Sequence, residues 1–124
     1  MTMFTKLEQA ALHAIFLETP EFAGELNQQL EKTAVVTREN SGCGFFTTLA
    51  VPADALQVIT PRVLGYATHA RILGLEHSLG FVLFMGNGRM QLLEGYAWGP
   101  ESTVALDFLN VTFEIFNAPI PRIG

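Results

Sequence analysis

A single cysteine, Cys43, among 124 residues excludes an internal disulfide framework and a multi-cysteine zinc site. It leaves the reducing cytosol as the expected setting. Charge is also sparse, at 15% of residues, against roughly 25% in an average soluble protein. With 49% of residues hydrophobic, the composition argues against intrinsic disorder and for a large buried fraction or an oligomer interface. Basic residues are the scarcest charged class: seven Lys and Arg stand against twelve Asp and Glu, for a net charge of -5. Arg38, Arg62, Arg71, Arg89 and Arg122 are scattered rather than gathered into a stripe. Nucleic acid, whose binding needs a basic surface, is therefore not an expected partner.

Long apolar runs are missing too. The run from Ala10 to Leu17 is broken by His13 and bounded by Glu8 and Glu18, so it lacks the continuous centre of a signal peptide. No stretch reaches the roughly 18 apolar residues of a membrane span. The expectation is a soluble, unprocessed, cytoplasmic protein with no membrane partner. No Walker, dinucleotide-binding, zinc-protease or serine-hydrolase signature is present, and no cofactor or metal is expected.

What is there suffices for one domain, residues 1–124, with one core. Residues 1–32 read at helical period. Thr5 and Glu8 have capping-box spacing, and Phe4, Leu7, Ala11, Ala14 and Ile15 form one apolar stripe. Thr19 before Pro20 starts a second helix, whose apolar line is Phe22, Leu26 and Leu30. Five glutamates against Lys6 and Lys32 in this third read as a solvated outer face.

Residues 33–116 are mainly strands. Thr33 to Glu39 and Phe45 to Val51 flank a glycine-containing loop and read as a hairpin. Residues 52–62, with two prolines, form a connection. Val63 to Leu73 alternates as one strand, and Gly74 to Leu79 makes a corner. Gly80 to Met85 is apolar on both faces, which places it centrally. Asn87 and Gly88 supply a type I′ turn into a returning strand from Arg89 to Trp98. Val104 to Phe116 fits a strand or a helix, with its β-branched and aromatic residues favouring a strand. Residues 117–124 form a tail. The expected fold is α+β: two N-terminal helices packed on an antiparallel meander sheet of about five strands. The second face of that sheet calls for a cover, either a curled part of the same sheet or the second subunit of a homodimer.

Glu76, His77 and Glu94 are polar groups set in apolar sequence. A two-residue turn at Asn87 and Gly88 would pair Met85 with Met90, Leu83 with Leu92 and Phe81 with Glu94. That register brings Glu94 towards the corner at Glu76 and His77, where the three would serve as acid/base groups. The competing reading is a carboxylate bonded to the amides of a glycine-rich corner, doing no chemistry. His69 and His77 match no standard metal-ligand spacing. Cys43, at a hairpin tip with no neighbouring base in sequence, reads as an ordinary loop cysteine. Tyr66, His69, Tyr96 and Trp98 are the candidate ligand-contacting residues, since Tyr and Trp join an apolar body to a polar tip; Trp98, beside Gly99 and Pro100, suits a pocket rim.

Three residue blocks occur together: Gly44-Phe45-Phe46-Thr47, then Gly74-Leu75-Glu76-His77 with Gly80, Phe81, Leu83 and Phe84, then Leu93-Glu94-Gly95-Tyr96. Over residues 33–100 the chain thereby resembles a family of small, uncharacterised bacterial α+β proteins. The resemblance implies a bacterial, cytoplasmic protein of similar size and brings no activity, cofactor or catalytic residue. The chain departs from it after Tyr96, where Ala97, Trp98, Gly99, Pro100 and Glu101 replace a more acidic stretch. The functional expectation is a non-catalytic binding domain that forms a homodimer and takes a protein or small-molecule partner. The alternative is a small enzyme using Glu76, His77 and Glu94 in a pocket rimmed by Tyr96 and Trp98.

Overall fold

A computed structural model describes residues 3–118. Helix α1 (Lys6–Glu18) starts as the sequence predicts: the Glu8 amide donates to the Thr5 hydroxyl at 3.0 Å, and the Thr5 amide donates to the Glu8 carboxylate at 2.8 Å. Thr19 ends α1 and leads into α2 (Pro20–Glu31), with proline in its first turn. Leu7, Ala11, Leu12, Ile15 and Phe16 of α1 and Leu26 of α2 are buried. Glu8 lies on this same buried stripe at 2% exposure.

Seven strands follow: β1 (Ala34–Asn40), β2 (Gly44–Ala50), β3 (Val63–Leu64), β4 (Thr68–Ile72), β5 (Leu79–Gly86), β6 (Arg89–Ala97) and β7 (Phe113–Asn117). They form one antiparallel sheet in the order β1-β2-β6-β5-β4-β7, with β3 also on β5. The fold is α+β, with the helices on one face of the sheet and two strands more than the sequence suggested. It is not a simple meander, because β6 returns past β5 to pair with β2. The expected single strand from Val63 to Leu73 is split: Gly65 adopts a φ of +100° and accepts the Thr68 amide in a turn, and only β4 continues to β7. Leu79 belongs to β5 rather than to the corner. Between Val104 and Phe116, strand geometry begins only at Phe113. Before it, Asp107 accepts the Leu109 amide and the Asn110 side-chain amide, so local turns compete with the ladder. Of the tail, Asn117 closes β7, and residues 119–124 lie outside the described ones.

The β5–β6 turn has positive φ at Asn87 and Gly88, as a type I′ turn needs. The register then slips. Met85 pairs with Met90, but Phe84 pairs with Leu92, leaving Gln91 as the extra residue of a bulge. Glu94 therefore faces Val82, not Phe81 as the unbulged register requires. Next to the bulge, Gln29 of α2, 1% exposed, accepts the Met90 amide and donates to the carbonyls of Gly88 and Leu56, all at 2.8 Å. The helix thus takes up backbone groups at the hairpin end and ties the 52–62 connection to it.

A second bulge, at Val36, brings Arg38 rather than Thr37 to the inner face of β1. There Arg38 donates to both Glu8 oxygens, at 2.8 and 2.9 Å. The Thr47 hydroxyl of β2 adds a third bond at 2.7 Å. Burial would push the Glu8 carboxyl up, but the bonds from Arg38, the Thr5 amide and Thr47 outweigh it and hold the group below the usual carboxylate range. A depressed carboxyl contributes stability that is present above its unfolded value and lost as pH falls through its folded value. Arg38→Met, which strands a buried carboxylate, is expected to lower stability by about 3 kcal/mol at neutral pH in urea unfolding. The gap from the unmodified protein should narrow as acid protonates Glu8 in both.

Candidate functional site

Alternation along the strands sends Phe81, Leu83, Met90 and Leu93 towards the helices and their neighbours to the opposite side. Cross-strand register sets those neighbours in rows. One row is Phe46, Glu94 and Val82; a second is Thr48, Leu92 and Phe84. A third runs from Tyr96 past Gly80 to His69 and Phe116. Among the described residues no helix packs on this outer face.

The third row is an aromatic strip. The Tyr96 ring lies over Gly80, where a Cβ atom would come within 2.4 Å of it, so glycine is what lets the ring lie flat on β5. Trp98 follows at 5.6 Å from Tyr96 and 5.7 Å from His69. His69 stacks on Phe116 at 5.4 Å, and the Arg71 guanidinium sits 4.5 Å from the centre of the Phe116 ring. The Trp98 indole donates to Nδ1 of His69 at 3.1 Å, and Nε2 of His69 lies 2.9 Å from the Ala118 carbonyl oxygen. An indole only donates and a carbonyl only accepts, so these bonds select the neutral imidazole with its proton on Nε2.

Glu94 sits half-buried in the apolar row between Phe46 and Val82. Burial pushes its carboxyl up, with no cation or donor among the described residues to offset it. Tyr96 is shifted the same way, by burial first and then by the nearby Glu94, Tyr66 and Glu18.

Glu76 and His77 lie elsewhere, exposed in the corner before β5. Their amides donate to the Glu101 carboxylate at 2.8 and 2.6 Å, and the His77 ring nitrogen Nδ1 stands 3.3 Å from it. Hydrogen bonds from these two backbone amides hold the Glu101 carboxyl below its ordinary range. Glu101 is thus the carboxylate that His77 meets. His77 packs beside Gly99, five residues along from Glu94, or roughly 16 Å of extended chain. Glu76, His77 and Glu94 do not converge, and the bulge at Gln91 is part of the reason. His69, Tyr96 and Trp98 do come together, with Tyr66 near Tyr96 and 54% exposed. Cys43 is exposed at the β1–β2 turn. Among the described residues no group of three His, Cys, Asp or Glu side chains is placed to hold a metal, and no helix is long and apolar enough to cross a membrane.

The two-sided apolar run from Gly80 to Met85 marks Phe84 for a second sheet face, and the alternation of β6 sets Leu92 on the side of Glu94 and Tyr96; Phe46 and Phe116 join that face only through the pairings of β2 and β7. The His69–Trp98 bond had no signal in the sequence, since it joins residues 29 apart. No family model, curated protein or solved structure matches the chain, so the site rests on its own geometry.

Trp98 is the single tryptophan, so its indole proton reports the aromatic strip directly. In His69→Phe that proton is expected to move upfield and exchange faster with water, as seen by proton NMR. An unchanged resonance would mean that the His69 bond does not hold the indole in solution.

Proposed function

We propose that the protein is a non-catalytic binding domain whose outer sheet face joins a second copy of the chain. The observation that carries this reading is that Phe46, Val82, Phe84, Leu92 and Tyr96 project from the side opposite the helices. Trp98, 49% exposed, extends the face. Five strands at about 4.8 Å spacing and seven residues at about 3.3 Å rise give a projected face of roughly 550 Å². That is smaller than the roughly 800 Å² per partner of a standard interface, which fits a weak dimer.

In a two-fold dimer the same patch meets itself. Arg71 and Glu114 at the rim already pair with each other at 2.9 Å, and Glu39 stands exposed at the β1 edge beside Phe46, which leaves Glu94 as the charge within the face that contact would desolvate. A face carrying one half-buried carboxyl suits association better than catalysis, because Glu76 and His77 are not within its reach. The resemblance to small bacterial proteins fits the same reading: apart from the corner Gly74 to His77, its blocks fall on the neighbouring strands β2, β5 and β6.

Sedimentation velocity at about 100 µM, above the Kd of a micromolar dimer, is expected to give twice the 13.6 kDa chain mass. Leu92→Glu should return the monomer while keeping the circular dichroism of the folded chain. A monomeric unmodified protein would overturn the reading. Association should also depend on pH with a definite sign. Burial favours the protonated Glu94 carboxyl, so the dimer is tightest below that titration and weakens as pH rises through it. Glu94→Gln should flatten this profile at the tight-binding level.

A further inference from the structure

On the helix side, apart from the outer face, a cleft of about 330 Å³ opens between the start of α1, the end of β1 and residues 106–109. Leu7 and Phe45 are its buried apolar walls, Leu106 and Phe108 stand half-buried, and Leu109 is 56% exposed. The Phe45 and Phe108 rings are 5.0 Å apart at 49°. The far wall is held in place: Asn40 donates to the carbonyls of Thr103 and Leu106 at 2.8 and 3.2 Å, and the Thr103 hydroxyl accepts the Gly44 amide at 2.9 Å. An apolar cavity of roughly 150 Å³ suffices for benzene, so this cleft has room for one ring with a short tail. A partner helix, about 10 Å across, does not fit it.

The polar groups around the cleft decide what charge a ligand can carry. Arg38 is spent on Glu8, whose oxygens are both occupied, so that pair is neutral. Asn40 is saturated as well: its side-chain oxygen accepts the Gly42 amide and the Thr103 hydroxyl, both at 3.0 Å. Glu39 pairs with Phe46 and alternates with the inward Arg38 and Asn40, so its carboxylate leaves on the outer face, away from the cleft. Asp107 is bonded within its own turn by the Asn110 side chain and the Leu109 amide, which hold its carboxyl below the ordinary range. Lys6 lines an adjoining groove rather than this cleft. A cation entering here would give up water for one carboxylate already bonded, and an anion would meet that carboxylate with no uncommitted cation among the lining residues. Burying an unpaired charge is costly, whereas an uncharged ligand gains the apolar contact without that cost.

We infer that this cleft binds a small, uncharged, largely apolar molecule of one-ring size, its body against Phe45 and Phe108. The test is an amide NMR titration of the whole chain with three probes of matched size: 2-phenylethanol, 2-phenylethylammonium and 3-phenylpropanoate. The alcohol, with about nine non-hydrogen atoms, is expected to shift the amides of Leu7, Phe45, Phe108 and Leu109 with a Kd on the order of 1 mM. Each ion should bind at least about threefold more weakly, since neither finds a partner for its charge. Leu109→Ser, at an exposed cleft residue, should weaken the alcohol about threefold through lost apolar contact. Val104→Ser, equally exposed on the same stretch but outside the cleft, should leave it unchanged. An ion bound within about threefold of the alcohol, equal effects of the two variants, or no shift at the cleft amides with about 10 mM alcohol, above the Kd of a millimolar site, would overturn the inference.

Discussion

The Glu8 carboxylate is the point on which the two layers depend. It caps its own helix through the Thr5 amide, receives Arg38 from β1 and takes a hydroxyl from Thr47 on β2. One buried anion thus ties α1 to the first hairpin. A lone carboxylate in that position would oppose folding; with four donors it instead fixes which residue of β1 points inward. The bulge at Val36 follows from the same constraint, since without it Thr37 would occupy the place of Arg38.

Gln29 has the corresponding part at the other end of the sheet. Its amide group meets backbone donors and acceptors of the β5–β6 hairpin beside the bulge at Gln91. The one-residue slip there transfers Leu92, Glu94 and Tyr96 to the outer face and returns Leu93 to the core. Two neutral or ion-paired polar side chains on the helices therefore set the orientation of the strands at each end. The apolar pattern then fills the space between.

Local signals in the sequence were reliable. The Thr5–Glu8 cap, Pro20 at the start of α2, the turn at Asn87 and Gly88 and the two-sided run in β5 are all properties of a few adjacent residues, and each appears where expected. Failures came where distant residues decide. The register beyond Met90 is tied to Gln29, some sixty residues earlier, and it moved Glu94 away from Phe81. The β6–β2 pairing, the His69–Trp98 bond and the partnership of Glu101 with His77 likewise join segments that no short window relates. Glu8 shows both cases: its cap was legible at a spacing of three, but its bonds to Arg38 and Thr47 span 30 and 39 residues.

The return of β6 to β2 also shapes how the chain reaches this fold. Thr47 and Leu93 are paired, so their contact closes a loop of about 45 residues, while the β1–β2 and β5–β6 turns close almost none. The entropic difference is about 2 kcal/mol, which favours the two hairpins as early units and their edge-to-edge joining as the later, slower event. Until that junction forms, β2 and β6 each present an unpaired edge beside exposed phenylalanine and leucine. Nascent chains are then most open to pairing with one another at the very seam that later becomes the middle of the sheet.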